Sequence, residues 1–333
     1  MGIYGKAAEG TLRLAAAAGP RGLRAYDLAA RIVPRGPIPR IRTTNGRGSD
    51  VDAYWGVHVL HSERFPSQRA SWAQIESRFA LYPLYREFFD LWGTHEGEIV
   101  LDFGCGPGND LIGFAAHSGA RRVIGMDVSE KALAVSADRL ALHRVNPLRV
   151  ELIQVRDTEP SLPLRDDSVD YIHCAGVLHH VSEPDRILQE FRRVLKPGGA
   201  AAIMVYNRDS VFFHLVVAYV RMILNGECAG MDVDTAFGRM TDGPDCPISI
   251  AYRPGDWLEL CRVAGLDGTY LGGLLSTTEL EALDHWGLRA LLDERLGDEH
   301  REYLQGLRWG ERDYPLYDGR PAGCGASFRL RSV

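Results

Sequence analysis

The stretch "VLDFGCGPGND" (Val100–Asp110) sets glycines at Gly104, Gly106 and Gly108 directly after an apolar run that ends near Asp102. Glycine lets the backbone turn tightly and approach a ligand with no Cβ in the way. A nucleotide-like ligand suits such a loop, but several chemistries compete for it. A dinucleotide loop spaces its glycines G-x-G-x-x-G, and a phosphate loop ends in G-K-S/T. Here Pro107 interrupts an alternating triplet and no G-K-S/T follows.

The carboxylates downstream narrow the choice. Asp127 closes the run "VIGMDVS", and a carboxylate at the tip of a second strand can accept both hydroxyls of a ribose. Asp157, in "VRDTEP", is placed to accept from an exocyclic amine. Either could instead cap a helix or sit solvated in a loop. His179 and His180 end the stretch "LPLRDDSVDYIHCAGVLHHV" (Leu162–Val181). Histidine titrates near neutrality, so one of them could serve as a general base, or merely orient a loop. Tyr54, Trp55, His58 and Tyr206 are candidates for walling an acceptor pocket, although core packing explains most aromatics. His58 and His61 stand three apart, but two histidines lack the third ligand of a metal site. The six cysteines (Cys105, Cys174, Cys228, Cys246, Cys261 and Cys324) form no C-x-x-C pair. No metal is therefore expected, and scattered thiols point to a reducing cytoplasm.

These residues need a frame, and the chain supplies a regular alternation. Glu98–Phe103, Arg122–Asp127, Arg149–Val155, Val169–Ala175 and Ala200–Tyr206 read as strands. Asn109–His117, Ser129–Arg144 and Pro184–Leu195 read as helices, with Ser129 as an N-cap. "KPGG" (Lys196–Gly199) reads as a turn before the fifth strand. Such alternation implies a parallel α/β sheet wrapped by helices. Ser210–Leu224, Arg253–Leu266 and Thr277–Leu307 are expected to be helical, "DGTYLGG" a strand, and Ala326–Leu330 a closing strand.

Five segments follow: a basic arm (1–50), an aromatic helical cap segment (51–95), a cofactor core (96–207), a helical insertion (208–252) and the remainder of the fold (253–333). The arm, with Arg21, Arg24, Arg31, Arg35, Arg40, Arg42 and Arg47, reads as solvated or packed on a second copy of the chain. Over 333 residues the net charge is −6, which disfavours a large nucleic-acid footprint. No apolar run approaches the ~18 residues of a membrane span, so a cytoplasmic protein is expected.

Taken together and in order, four stretches resemble the class I S-adenosylmethionine-dependent methyltransferases. They are "VLDFGCGPGND", "GMDVSEKAL", "LPLRDDSVDYIHCAGVLHHV" and "LKPGG", within about Gly97–Asn207. The resemblance implies a doubly wound, mostly parallel seven-stranded sheet with helices on both faces and a helical substrate cap. It implies S-adenosyl-L-methionine as cofactor, its methionine part held by Asp102 and the backbone of Gly104, Cys105, Gly106 and Gly108. Asp127 would take the ribose, Val128 would flank the adenine, and Asp157 with the Thr158 backbone would meet the adenine amine. The backbone at Ala175 and Gly176 would meet the cofactor's ammonium. The expected acceptor is a small molecule, a natural-product intermediate. A sugar or polysaccharide precursor is the alternative, and RNA a weaker one. The acceptor atom, oxygen, nitrogen or carbon, stays open.

Overall fold

A computed structural model describes residues 34–44, 46–59 and 64–332. The expectation of an arm packed on a second copy of the chain falls partly, and His61 wholly, outside those residues. The chain forms two compact units. The first runs to Leu81 and takes in Asp90–Leu164 and Ser168–His173; the second holds Tyr82–Phe89, Arg165–Asp167 and Cys174 onward.

The first unit is built on parallel strands: β1 (Ile41–Thr43), β2 (Ile99–Phe103), β3 (Arg122–Asp127), β4 (Val150–Gln154) and β5 (Val169–Ala175). Their order is β1-β4-β3-β2-β5. Parallel strands are covered on both faces and so read as near-continuous apolar runs. In β2 this buries Val100 to Phe103 throughout, Asp102 included. Helices α1 (Asp50–Val57), α2 (Gln68–Leu81), α3 (Leu111–His117) and α4 (Glu130–Leu142) complete the unit. Ser129 caps α4 as expected, its hydroxyl accepting from the Ala132 amide at 3.2 Å.

The described part of the basic arm is not a solvated tail. Ile41–Thr43 pairs in parallel with β4, Arg35 meets Asp138 at 2.6 Å and Arg42 meets Glu151 at 3.0 Å. A three-residue strand is too short to carry a period, so only its pairing reveals it.

In the second unit α5 (Pro184–Val194) leads into β6 (Leu195–Asn207), with the two-residue β7 (Ala251–Tyr252) parallel to its end. A π-helical run spans Phe212–Leu224 where an ordinary helix was expected; its terminal amide bond is Asn225 to Val220, five residues back. Helices α6 (Val233–Asp242), α7 (Pro254–Val263), α8 (Thr277–Leu292) and α9 (Asp298–Gly306) follow. β9 (Gly325–Ser332) runs antiparallel to both β6 and β8 (Leu266–Leu274). All seven expected strands are present; the additions are β1, β7 and a small antiparallel sheet of three short strands, Arg308–Trp309, Pro315–Tyr317 and Arg320–Pro321. The expected KPGG turn lies inside β6, with Gly198 at φ 82°. Among the described residues no helix is long and apolar enough to cross a membrane.

Candidate functional site

The glycine loop of the first unit is held from beneath. The Gly104 and Cys105 amides both donate to the Met126 carbonyl, at 2.7 and 2.9 Å. Gly106 and Gly108 have φ of 53° and 82°, a region closed to most side chains. A Cβ on Gly108 would also stand 2.7 Å from the Ser136 hydroxyl on α4. Cys105 points inward: a Cβ on Gly125 would lie 3.0 Å from its sulfur, so it offers the site only its backbone.

Asp127 sits at the tip of β3. One carboxylate oxygen accepts from the Gly106 amide and the other from the Ser129 amide, both at 2.8 Å. Burial raises its pKa, while these amides pull the other way. Each oxygen keeps a lone pair for a hydroxyl donor. Asp102 is 2% exposed, and its Oδ2 has no hydrogen-bond partner. Burial pushes its pKa up to about 7 against the pull of His173. A buried carboxylate oxygen left without a donor fits a cationic amine. The loop, Asp127 and Asp102 therefore fit the ribose and amino acid ends of a sulfonium nucleoside.

Asp110 closes the loop and is the opposite case. Burial works against its charge, but Arg78 at 2.9 Å and His173 at 3.1 Å outweigh that and hold it well below the usual carboxylate range. Arg78 comes from α2, as do Ser71 and Gln74, which share the buried Arg139 guanidinium with Asn109 of the loop. None of these residues stood out in the sequence; arginines on a helix read as a solvated face.

Beyond Asp127 a cavity of about 490 Å³ is lined by Asp52, Gly56, Val128, Gln154 and Arg156, with Glu130 and Lys131 of α4. The Gln154 amide donates to the Val128 carbonyl at 3.0 Å. Asp157, next in sequence to the lining residue Arg156, is tied to Ser49 and Asp52 at the start of α1. Its amide donates to Asp52 at 3.1 Å, and its carboxylate accepts from the Ser49 hydroxyl at 3.4 Å. The Thr158 hydroxyl donates to the Arg47 carbonyl at 2.7 Å. Asp52 escaped the sequence reading although Ser49–Asp52 forms a capping box, which reads as a helix start and nothing more. Tyr54 stacks on His58 at 4.0 Å and meets Trp55 edge-on. These three lie on or just after α1, whose Gly56 faces the cavity.

In the second unit His179 and His180 sit on one turn of 3₁₀ helix with ring centroids 4.0 Å apart. Tyr206 on β6 lies 3.8 Å from the His179 ring. The Tyr206 amide donates to His179 Nδ1 at 3.2 Å, so the neutral ring carries its proton on Nε2. That N–H is buried and has no partner. Burial, then the neighbouring His180, drives the His179 pKa well down. His180 is fixed the other way round. Its Nδ1 lies 2.8 Å from the Ile248 carbonyl, which only accepts, so Nδ1 carries the proton. Burial lowers its pKa, opposed by Asp242.

Asp242, at the end of α6 in "TDGPDCPIS", is the residue the sequence reading passed over. It accepts from the Tyr206 hydroxyl at 2.9 Å and the Ser249 hydroxyl at 2.6 Å, with the Thr241 hydroxyl at 2.8 Å. Burial, with Asp242 next to it, raises the Tyr206 pKa well above its ordinary value. Just after β5, the Gly176 amide donates to the Met204 carbonyl at 3.1 Å.

Residues 100–199 match the model of a methyltransferase domain. The chain is 32% identical over 223 residues to a ubiquinone biosynthesis O-methyltransferase of Thiobacillus denitrificans, covering 66% of this chain and 87% of that enzyme. It is 41% identical over 123 residues to an uncharacterised 37.1 kDa protein of a Streptomyces fradiae transposon; that match covers 37% of this chain and only 34% of that protein. A solved S-adenosylmethionine-dependent methyltransferase from Mesorhizobium loti superposes with a TM-score of 0.47 at 19% identity, covering 74% of this chain and 97% of that one. With most of a curated enzyme's length matched, and with a glycine loop and carboxylates that fit S-adenosylmethionine, the chain belongs to the class I S-adenosylmethionine-dependent methyltransferases.

Proposed function

We propose that the methyl group goes to an oxygen of a small hydroxylated molecule. The observation that carries this reading is the buried His179 Nε2–H, which lacks an acceptor beside Tyr206 and Asp242. Such a donor is satisfied by a lone-pair acceptor such as an oxygen, and not by an aliphatic carbon. The kinship with ubiquinone biosynthesis O-methyltransferases supports the same atom. A natural-product intermediate or a sugar precursor would each supply such an oxygen. The net charge of −6 argues against RNA.

The cofactor supplies an activated methyl group on a positive sulfur. Asp102 would hold its ammonium, Asp127 its ribose, and the cavity lined by Val128 and Gln154 its base. On the acceptor side, His179 donates to the reacting oxygen and fixes its approach. Methylation of a hydroxyl oxygen held there would require its proton to leave. That task falls to the His180–Asp242 side of the cluster.

Incubation with methyl-labelled cofactor and a panel of phenols, sugars, amines and carbon acids tests the reading. An O-methyl product is expected, with turnover reduced at least about tenfold by His179→Ala. A product methylated only on nitrogen or carbon would overturn it.

A further inference from the structure

Three donor atoms of different kinds converge in the second unit: a ring nitrogen of His180, a carboxylate oxygen of Asp242 and Cys246 Sγ. All lie within 4.8 Å of one another. The His180 and Asp242 side chains are only 6% and 7% exposed. Nε2 and Oδ1 stand 3.6 Å apart, too far for a hydrogen bond. That span is close to the roughly 3.3 Å between two ligands of a tetrahedral ion with bonds of about 2.0–2.1 Å.

Two of the three ligands are also braced from behind. The Ile248 carbonyl takes the His180 Nδ1 proton, so Nε2 is the nitrogen with the lone pair. Asp242 is oriented by the Tyr206 and Ser249 hydroxyls. Metal-binding histidines and carboxylates are typically held this way. A separate observation points to a ligand in the same cluster: the buried, unpartnered His179 Nε2–H, whose ring is 4.0 Å from that of His180.

We propose that His180, Asp242 and Cys246 bind a divalent cation of the zinc type and leave its fourth position to an oxygen ligand. A nitrogen, oxygen and sulfur set suits zinc and not magnesium or calcium, which prefer oxygen alone. Binding requires the Cys246 thiol, now 3.3 Å from the Ile248 carbonyl, to give up its proton to solvent. Water can fill the fourth position. On the oxygen-acceptor reading, the acceptor's hydroxyl takes it; with the cation bound, His180 and Asp242 serve as its ligands in place of a base, and the cation acidifies the hydroxyl so that its proton passes to solvent before methyl transfer. Only this last role rests on that reading; the cation site does not.

The test uses the full chain, stripped with a chelator and titrated with Co²⁺. The expected result is one Co²⁺ per chain, intense visible bands of four-coordinate geometry, and a thiolate charge-transfer band in the near ultraviolet. Zn²⁺ should displace it. Cys246→Ser should remove the charge-transfer band and weaken Zn²⁺ binding by about tenfold or more, whereas Cys228→Ser should change neither. If Cys246→Ser fails to fold by circular dichroism, Asp242→Asn is read for the same loss of Zn²⁺ affinity. A wild type without the charge-transfer band, or equal behaviour of the two cysteine variants, overturns the site. Because these readouts need no methyl acceptor, an N- or C-methylated product would remove the oxygen role and leave the cation site standing.

Discussion

Asp102 and Asp127 sit on neighbouring strands under opposite conditions. Asp127 meets two backbone amides, whereas Asp102 Oδ2 meets none. Asp127→Ala should lower cofactor affinity at least about a hundredfold, since each hydrogen bond to a charged group is worth ~1.5–3 kcal/mol. Calorimetry returning a Kd within a few-fold of wild type would rule out the ribose role. Asp102 makes a pH prediction. Folding raises its pKa from 3.8 to about 7. Its contribution to the stability of the cofactor-free protein is therefore full below 3.8 and lost as pH rises through about 7. An ammonium beside it favours the ionised form and lowers that pKa. Cofactor binding should then release a proton at about pH 6, and Kd should weaken by up to about tenfold per unit as pH falls below about 7. Equal binding heats in two buffers of different ionisation enthalpy at that pH would refute the pairing.

At the scale of elements, α3 is where packing and propensity pull apart. Gly113 lies within this helix, where alanine would ordinarily gain about 1 kcal/mol. A Cβ there would stand 1.5 Å from the Trp92 ring nitrogen, which donates to the Asp110 carbonyl at 3.3 Å. Gly113→Ala is therefore expected to destabilise the protein by about 1–3 kcal/mol, the usual cost of overpacking. A urea midpoint equal to or above wild type would show that Trp92 yields freely. Much of the element plan was legible. β3 and β5 fall on their expected residues, and Ser129 caps α4, because a buried parallel strand and an N-cap are both local signals. The hold of α2 on the glycine loop was not. Arg78 and Arg139 look like surface charge until Asp110 and Asn109 are brought to them.

For the whole molecule, charge separates the remaining acceptor classes. A small neutral acceptor should bind with little dependence on salt. RNA binding would fall steeply, by orders of magnitude between about 50 and about 200 mM salt. A KM for the acceptor that is flat across this range is expected. By itself the sequence determined the donor: a glycine loop and carboxylates at strand tips follow one another along the chain, and that order resembles the S-adenosylmethionine-dependent methyltransferases closely enough to imply their cofactor. The tertiary structure alone decided the rest. Ser49 and Asp52 reach Asp157, Arg47 reaches Thr158, and His180 meets Asp242 and Cys246, all across long stretches of intervening chain. Such meetings leave no period or spacing to read, because they depend on where the folded backbone returns and not on what stands next in line.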